Sequence, residues 1–280
     1  MSADPTHAGR PRVAVVIPAL DEEAALPLVL AAIPRALHDV VVVGDNGSRD
    51  RTAEVARAAG AIVVGAPRRG YGSACLAALG VVLGRAAPPD PAAPDPAARG
   101  ADVLPLGDAD VVAFLDADFS DDPEDLAAIL APILEGRAEF VVGSRTRDAA
   151  SRAALTPQQR FGNALACWLL RVLFGARHTD LGPFRAIRVD ALRHLAMEDR
   201  DYGWTVEMQL KARVAGLRVV EVPVRYRQRA AGASKVSGTL VGSIRAGWKI
   251  LGWIIGWRVR FLTGRARTPR FLRSANSGTR

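Results

Sequence analysis

The stretch VVAFLDADFSDDPEDL, residues 111–126, joins an apolar run, two aspartates and the start of a helix. A short apolar run bounded by turn residues is typical of a buried strand, which we predict over Val111–Asp116. Asp116 and Asp118 follow at its carboxyl end, where open α/β sheets bind ligands. Carboxylates two residues apart lie on one side of an extended chain and suit a divalent cation such as Mg²⁺. The alternative is that both aspartates only form a turn and cap a helix.

Short apolar runs alternate with helical patterns through the first two thirds of the chain. Continuous apolar strands separated by helices are typical of a mostly parallel sheet that is covered on both faces. We therefore predict an α/β fold with helices on both faces of a mostly parallel sheet. The further strands are predicted at residues 13–19, 40–44, 61–65 and 139–143, and the helices at 22–36, from 53 onward, at 70–83 and at 122–135.

Acidic residues also follow the first two predicted strands. Asp21, Glu22 and Glu23 come after the first strand, and Asp45 comes after the second, within GDNGSRD. A carboxylate such as Asp45 accepts hydrogen bonds from a base or a ribose, although turn formation alone also explains this sequence. Because the carboxyl ends of parallel strands meet at one edge, the three acidic loops are expected to converge there.

The sequence lacks the motifs of several well-defined protein classes. The segment GYGSAC, residues 70–75, resembles a dinucleotide-binding loop, but Cys75 occupies the third glycine position and the loop follows the third strand. The sequence has neither a G-x-x-x-x-G-K-[ST] phosphate loop nor a G-x-S-x-G elbow. The two cysteines, Cys75 and Cys167, lie in apolar surroundings, so we expect no disulfide framework and no zinc site. With no apolar signal region at the start, a cytoplasmic protein is expected.

The charge of the chain is unevenly distributed. Its 37 Lys and Arg residues outnumber 29 Asp and Glu residues, giving a net charge of +8, and the pI is about 10.4. No acidic residue follows Glu221, so the last part of the chain is cationic. Such an end suits an anionic surface, either lipid or nucleic acid. Because the aromatic interleaving typical of single-strand binding is absent, we do not expect nucleic acid as a partner.

The segment 239–263 is predicted to form an amphipathic helix. Its apolar centre, ILGWIIGW, is too short to span a bilayer, for which about 20 residues are needed. Trp248, Trp253 and Trp257 are flanked by basic residues, which favours a position in the interface of an anionic membrane. The alternative is that this helix packs on the protein's own core or on a second subunit, which leaves a homo-oligomer open.

One domain is predicted over residues 12–238. A Pro/Ala-rich insertion at residues 85–104 interrupts it, and its composition favours a disordered surface loop. Disorder is also expected for the N-terminal residues 1–11 and for the basic tail at residues 264–280.

Taken in order, seven segments resemble the family 2 inverting glycosyltransferases, and within them the dolichyl-phosphate or polyprenyl-phosphate sugar synthases. The resemblance covers roughly residues 12–240, and the ordered set is far more specific than any single motif. It implies a GT-A domain, a Rossmann-like sheet that binds a nucleotide sugar through Mg²⁺ or Mn²⁺. The segments are VVIPALDEE, GDNGSRDRT, GYGSACLAAL, FLDADFSDDPEDL, VVGSR, DLGPFRAIR and VPVRYRQRAAGASKVSGT.

On the donor side, the resemblance implies a nucleotide site at the ends of the first two strands. Pro18, Asp21 and Glu23 would border the nucleotide, and Asp45 would contact the base.

Asp116 and Asp118 would hold the metal, and Asp116 the donor diphosphate as well. Arg229 and Lys235 of the late basic loop would clamp donor or acceptor phosphates. These roles agree with the chemistry, because transfer develops negative charge on the leaving diphosphate, which a metal and cations stabilise.

On the acceptor side, Asp180 matches the acceptor-side aspartate of the family, and Arg145 and Arg160 match basic positions that meet an acceptor phosphate. A lipid phosphate is already an anion, so Asp180 is expected to orient groups rather than to act as a strong base. Glu207 lies where the family has an acceptor-side helix, and it is either an acceptor contact or an ordinary helix surface position.

The sequence thus predicts an inverting hexosyltransferase that uses a donor of the UDP-glucose or GDP-mannose type and a polyprenyl or dolichyl phosphate acceptor. We expect it on the cytoplasmic face of the membrane, peripherally attached to anionic lipid. One alternative is the same donor chemistry on a soluble phosphorylated metabolite or a saccharide. A second alternative is a non-catalytic protein that binds a nucleotide sugar or nucleic acid.

Overall fold

The computed structural model describes residues 10–85, 104–228, 252, 254–259, 263 and 271. Arg229 and Lys235, predicted to bind phosphate, lie outside these residues. So do nearly all of the N-terminal segment 1–11, the insertion 85–104 and the basic tail 264–280, and the predictions for them stay predictions.

One seven-stranded sheet forms the centre of the molecule. Its strands are β1 Val13–Ala19, β2 Val40–Asp45, β3 Ile62–Gly65, β4 Val111–Phe114, β5 Phe140–Ser144, β6 Arg185–Arg188 and β7 Val219–Pro223. They lie in the order β3-β2-β1-β4-β6-β5-β7. Neighbouring strands run parallel except β6, which is antiparallel to both β4 and β5. The predicted α/β fold with a mostly parallel sheet is confirmed.

The connecting helices agree in place with the predicted ones, but some are shorter. They are α1 Leu26–Ala32, α2 Thr52–Ala58, α3 Tyr71–Val82, α4 Leu126–Leu134, α5 Ala149–Ala154, α6 Pro157–Phe174, α7 Val189–Leu195 and α8 Trp204–Ala215. The helix predicted over 22–36 ends at Ala32, because Ile33 is extended (ψ 121°), as a residue before a proline prefers to be.

The two faces of the sheet carry separate apolar cores. Because successive side chains of a strand point to opposite faces, Val13, Val15 and Ile17 of β1 join one core while Ala14 and Val16 join the other. Helices α1, α2 and α4 cover the first face, and α3, α7 and α8 cover the second. Helices on both faces are therefore confirmed. A third, smaller apolar cluster joins α6 to α8 and to residues 254 and 257.

The carboxyl ends of β1, β2 and β4 lie at the same edge of the sheet. In the strand register Ala19 pairs with Asp45, and Val16 pairs with Phe114. The strand predicted to reach Asp116 ends at Phe114, however, and residues 117–118 form a turn that leads to Phe119 at φ +58°. The expectation that the two aspartates share one side of an extended chain is therefore wrong.

The predicted amphipathic helix 239–263 is described only in part. Residues 252 and 254–259 are helical, and the rest of the helix lies outside the described residues apart from Thr263. Ile254 and Trp257 are buried in the cluster with α6 and α8, whereas Ile255 is 53% exposed. The described turns of this helix thus pack on the protein's own core. Within the described part of the chain, no helix has the length and apolar character to cross a bilayer.

Candidate active site

The loops after β1 and β2 are joined by hydrogen bonds to acidic side chains. Asp21 accepts the backbone N–H of Arg49 at 2.7 Å, and the Asp21 N–H donates to Ser48 Oγ at 2.9 Å. Ser48 in turn donates to the Asp45 carboxylate through both its N–H and its hydroxyl. Asp21 and Asp45, two of the residues predicted to bind the donor, therefore lie in one connected pair of loops beside Pro18 of β1.

Glu23 belongs to the same pair of loops. Its carboxylate accepts the N–H of Arg51 at 3.0 Å, and its own N–H donates to Asp50 at 3.1 Å. Next to it, the Glu22 N–H donates to Thr52 Oγ1 at 2.7 Å. Part of the acidity at this edge therefore serves the turns themselves.

The two aspartates after β4 have different partners. Asp116 accepts a hydrogen bond from the hydroxyl of Tyr71, at the start of α3, at 2.9 Å. Asp118 is 6% exposed, and its Oδ1 accepts the N–H of Ser120 at 2.9 Å. Burial, together with the charge on Asp116, raises the pKa of Tyr71 well above its usual value. The phenol therefore stays protonated and donates to Asp116.

Asp121 adds a third carboxyl group to this loop. It is 2% exposed, and neither of its oxygens has a hydrogen-bond partner among the described residues. Its backbone forms a bridge with Tyr226, just before the predicted late basic loop. Burial first, and then the neighbouring Asp116 carboxylate, raises the pKa of Asp121 well above its usual range, and Arg145 opposes this. Crowding thus disfavours ionisation of Asp121, and a bound cation would favour its charged form.

Arg145, after β5, forms a two-point ion pair with Asp180, in the loop before β6. Arg145 Nη2 lies 2.7 Å from Asp180 Oδ1, and Nε lies 2.9 Å from Oδ2, which also accepts the Arg145 N–H at 2.7 Å. Asp180 is fully buried, whereas the Arg145 side chain is 14% exposed and its guanidinium carbon lies 5.2 Å from the centre of the Tyr226 ring. Burial lowers the pKa of Arg145, but the Asp180 carboxylate more than offsets this, so the guanidinium stays charged.

Buried polar groups fix the loop that carries Asp180. Gln209 of α8 donates from Nε2 to the Asp180 carbonyl at 2.8 Å. Arg185, fully buried at the start of β6, donates to the carbonyl oxygens of Gly182 and of Thr205, the latter at 3.0 Å. Burial lowers the pKa of Arg185 to about 10, so it remains charged at neutral pH.

Two further side chains hold the residues on either side of the buried aspartate. Glu221 of β7 accepts both the N–H and the hydroxyl of Thr179, each at 2.7 Å. Asn163 of α6 donates to the Thr179 carbonyl at 3.1 Å and accepts the N–H of Leu181 at 2.9 Å. The loop is therefore fastened to a strand and to two helices, which fixes the position of its carboxylate.

The glycines of the GYGSAC segment serve close packing. The N–H of Gly72 donates to the Asp201 carbonyl at 3.2 Å, and a Cβ atom on Gly72 would overlap the Asp199 carbonyl. Gly70 adopts φ +141°, which disfavours any residue with a side chain. These glycines bring Tyr71 to Asp116 while α3 rests against residues 199–201.

Glu207 holds the other side of this contact. It is fully buried, accepts the N–H of Asp199 at 2.8 Å, and lies 2.7 Å from Lys211 Nζ. Burial nevertheless raises the pKa of Glu207. An ordinary helix surface position, one of the two alternatives for Glu207, is therefore wrong.

Among the predicted residues still to be placed, Arg160 is described, and Arg229 and Lys235 are not. Arg160 is exposed in the first turn of α6, and no hydrogen bond or ion pair joins its side chain to another described residue. Arg227, two residues before Arg229, pairs with Asp122 at 3.1 Å, and its guanidinium lies 4.3 Å from the centre of the Phe119 ring. The described chain therefore still contacts the loop after β4 two residues before Arg229.

The donor atoms at the end of β4 fit a hard divalent cation. Across residues 10–85 and 104–228, no group of three or more His, Cys, Asp and Glu side chains is arranged to hold a metal. Mg²⁺ commonly uses only one or two carboxylates and takes its other ligands from substrate phosphates and water. Asp116 and Asp118 meet that requirement, and the buried carboxyl group of Asp121, whose oxygens have no hydrogen-bond partner among the described residues, lies in the same loop.

Sequence reasoning did not single out Tyr71, Asp121 or Tyr226. The position of Tyr71 between two glycines, in GYG, could have indicated that its side chain contacts the site. Asp121 stands in the quoted acidic stretch, but its bridge partner Tyr226 lies more than 100 residues later in the chain. Pairings of that kind have no local signature.

The comparison with protein families finds one match. The family model described as "Glycosyl transferase family 2" matches residues 14–86 and 104–196. The unmatched residues between these ranges fall within the predicted Pro/Ala-rich insertion.

Individual relatives agree with this match. An uncharacterized glycosyltransferase of Mycobacterium tuberculosis is 39% identical over 242 residues, 85% of this chain and 97% of that protein. An undecaprenyl-phosphate mannosyltransferase of Micrococcus luteus is 30% identical over 243 residues, 82% of this chain and 90% of that protein. Among solved structures, glucosyl-3-phosphoglycerate synthase of M. tuberculosis, in complex with Mn²⁺, UDP and phosphoglyceric acid, has a TM-score of 0.65. It is 22% identical, over 90% of this chain and 80% of that one, and shows a shared fold.

Proposed function

Because the chain belongs to glycosyl transferase family 2, we propose that it moves a hexose, with inversion, from a UDP- or GDP-sugar to a polyprenyl phosphate. In this reaction a phosphate oxygen of the acceptor attacks the anomeric carbon. The bond from that carbon to the donor diphosphate breaks on the opposite face, and the nucleoside diphosphate leaves. The observation that carries the acceptor class is the buried pair of Arg145 and Asp180.

The donor site of the proposal lies at the ends of β1 and β2. Pro18, Asp21, Glu23 and Asp45 would surround the nucleotide, with carboxylate oxygens accepting from the base and the ribose. The hydrogen bonds that join the two loops support this proposal, because they hold Asp21 and Asp45 in place before the nucleotide binds.

Asp116 and Asp118 would hold a divalent cation together with the donor diphosphate. When bound, Mg²⁺ or Mn²⁺ neutralises the charge that develops on the leaving diphosphate. Replacing Asp118 by Ala is expected to abolish both transfer and metal-dependent donor binding, with the protein still folded. Asp108→Ala, which removes a side chain that is 75% exposed, is the control. Metal-dependent donor binding that survives Asp118→Ala would overturn the metal assignment.

The buried ion pair favours an acceptor that is already an anion. Both oxygens of Asp180 are engaged by Arg145, so this carboxylate is a poor general base for a neutral hydroxyl. A phosphate monoester needs no such base. Among the described residues, Arg145 Nη1 has no hydrogen-bond partner, and it would bind an acceptor phosphate oxygen. Arg160, Arg229 and Lys235 would contribute further positive charge.

A polyprenyl acceptor would also account for the cationic C-terminal part of the chain, which suits an anionic lipid surface. We place the enzyme at the cytoplasmic face of the membrane, attached peripherally to anionic lipid, where its acceptor is found. The undecaprenyl-phosphate mannosyltransferase among the relatives supports a lipid phosphate as the acceptor class.

A transfer assay tests the proposal. The full chain with Mn²⁺ is given UDP-glucose or GDP-mannose labelled in the hexose, and either undecaprenyl phosphate or 3-phosphoglycerate. The expected product carries label into the organic phase with undecaprenyl phosphate only. Label in a water-soluble product with 3-phosphoglycerate would favour the soluble-acceptor alternative. Donor binding in calorimetry without transfer to either acceptor would favour a non-catalytic binding protein.

A further inference from the structure

Large apolar side chains are exposed along one face of α6. Phe161, Trp168 and Val172 are 71%, 57% and 59% exposed. Positions seven and eleven residues apart lie on the same side of an α-helix, so the three form one stripe, with the half-buried Leu165 between them. A stripe of this kind on a water-soluble surface marks a site of interaction.

The opposite face of α6 is firmly seated. Ala166 and Leu170 are buried in the apolar cluster with Val206 and Leu210 of α8. The helix starts with a capping box in which Thr156 and Gln159 bond reciprocally, and it ends at Gly175 in the left-handed conformation. The helix is thus fixed at both ends, and its exposed stripe is a stable feature of the surface.

The helical residues 254–259 add apolar surface next to α6. Their buried side chains, Ile254 and Trp257, belong to the same cluster, and the Arg258 guanidinium lies 5.8 Å from the centre of the Phe174 ring at the end of α6. Ile255 and Val259, one turn apart, are each 53% exposed. Of the eight large apolar side chains exposed in the described residues, five therefore belong to α6 and this segment.

Positive charge accompanies this apolar surface. Arg160 and Arg171 are exposed on α6, which contains no acidic residue, and no acidic residue follows Glu221 in the sequence. An exposed tryptophan among apolar and arginine side chains suits the headgroup layer of an anionic bilayer, which accepts all three kinds of group. A second copy of the same surface would instead bring like charges together, which disfavours a symmetric dimer.

We propose that the stripe of α6, together with Ile255 and Val259, docks onto an anionic lipid bilayer. The inference goes further than the predicted role of segment 239–263, because α6 supplies the larger part of the docking surface. Only the idea that the acceptor comes from the bilayer depends on the proposed function.

The docking surface is mechanically linked to the candidate acceptor site. Asn163, two residues after Phe161 on α6, binds Thr179 and Leu181 and so fixes the loop that carries Asp180. Because residues two positions apart lie about 200° apart on an α-helix, α6 holds the acceptor loop from the side opposite to the stripe. One helix thus connects the docking surface to the loop that carries Asp180.

Vesicle flotation tests the docking surface directly. The full chain is mixed with phosphatidylglycerol/phosphatidylcholine vesicles or with phosphatidylcholine alone, and the variant is Phe161→Ser/Trp168→Ser. Both side chains are largely exposed, so the variant is expected to fold. It should bind anionic vesicles about tenfold more weakly than the native chain, because two side chains that enter the interface are lost. The control Leu134→Ser, which removes a 48% exposed leucine of α4, should bind like the native chain.

The other outcomes are equally informative. Equal loss of vesicle binding in the control variant, or none in the double variant, would overturn the inference. So would sedimentation showing a native dimer that the double variant dissociates, since a second copy would then occupy the stripe. Vesicle binding does not require turnover. Loss of binding in the double variant therefore supports the docking surface, whether or not the protein glycosylates a polyprenyl phosphate. Failure to glycosylate a polyprenyl phosphate would contradict only the proposed function.

Discussion

Arg145 and Asp180 meet in a two-point ion pair that closes the edge of the sheet between β5 and β6, with N–O distances of 2.7 and 2.9 Å. Arg145 directly follows β5, and Asp180 lies before β6. Strand β6 runs antiparallel to β5. The pair therefore joins the two chain segments that the reversed strand brings side by side. A carboxylate held in this way fixes the direction of the guanidinium, which is the group left to face an anionic ligand.

Replacing Asp180 by Asn should destabilise the protein and abolish transfer. The substitution keeps the shape of the side chain but leaves the Arg145 charge buried without a partner. Removing one member of a buried pair typically costs about 3–5 kcal/mol in the free energy of unfolding. Urea denaturation measures that loss.

The control for this prediction is Arg137→Gln, which breaks the exposed pair with Glu135 and is expected to cost less than about 1 kcal/mol. The double variant Arg145→Met/Asp180→Asn removes both charges and should recover part of the stability but none of the transfer. Full transfer in Asp180→Asn would contradict the role given to the pair.

Tyr71→Phe should weaken metal-dependent donor binding while the fold stays intact. The substitution removes only the hydroxyl that donates to Asp116 at 2.9 Å, and a hydrogen bond to a charged group contributes about 1.5–3 kcal/mol. We therefore expect the dissociation constant of the nucleotide sugar, measured by calorimetry with Mn²⁺, to rise at least about tenfold. Tyr202→Phe, at a tyrosine that is 38% exposed, should leave it unchanged. An unchanged constant in Tyr71→Phe would remove Tyr71 from the donor site.

The parts of the fold that depend on local sequence were predicted correctly. Strands such as β1 and β2 are continuous apolar runs, and the acidic residues at their ends were predicted at the correct edge of the sheet. Strand β6 was not predicted, because RAIR has two charged residues in four, and only its pairing with β4 and β5 makes it a strand.

The site shows the same division between local and long-range information. The ion pair of Arg145 and Asp180 and the backbone bridge between Asp121 and Tyr226 both join distant segments of the chain. Sequence pattern identifies the residue types in such contacts but not which of them meet. The roles proposed for Asp116 and Asp118 rest on residue type, whereas the sequence pattern did not indicate the turn at residues 117–118.

Gly72→Ala should disturb the site through the backbone. A Cβ atom at this position would overlap the Asp199 carbonyl, so α3 must shift away from residues 199–201, at a typical cost of about 1–3 kcal/mol. The shift would move Tyr71 from Asp116, so donor affinity should fall together with the melting temperature. Gly162→Ala is the matched control, since nothing lies within 4 Å of a Cβ atom there. In α6 this change should stabilise the protein by up to about 1 kcal/mol. Equal melting temperatures for the two variants would contradict the packing argument.

Glu221→Gln should destabilise the protein in a pH-dependent way. Burial alone would raise the pKa of Glu221, but the His178 ring, whose Nδ1 lies 3.7 Å from Oε1, and the hydrogen bonds from Thr179 outweigh burial and lower it. Because the folded-state pKa lies below the unfolded value of about 4.3, the ionised group adds stability at pH values above both. That contribution is lost as the pH falls through the folded-state pKa.

The melting temperature of Glu221→Gln should therefore lie several degrees below that of the native chain at pH 7, and the gap should narrow as the pH falls below the unfolded-state pKa of about 4.3. Glu54→Gln, at an exposed position of α2, should show no such trend. A gap that is constant with pH would mean that Glu221 holds Thr179 by shape and not by charge. If the gap closes as expected, transfer by the variant at pH 7 reports how far the loop of Asp180 depends on this anchor. Since Thr179 precedes Asp180 directly, we expect that rate to fall by about tenfold.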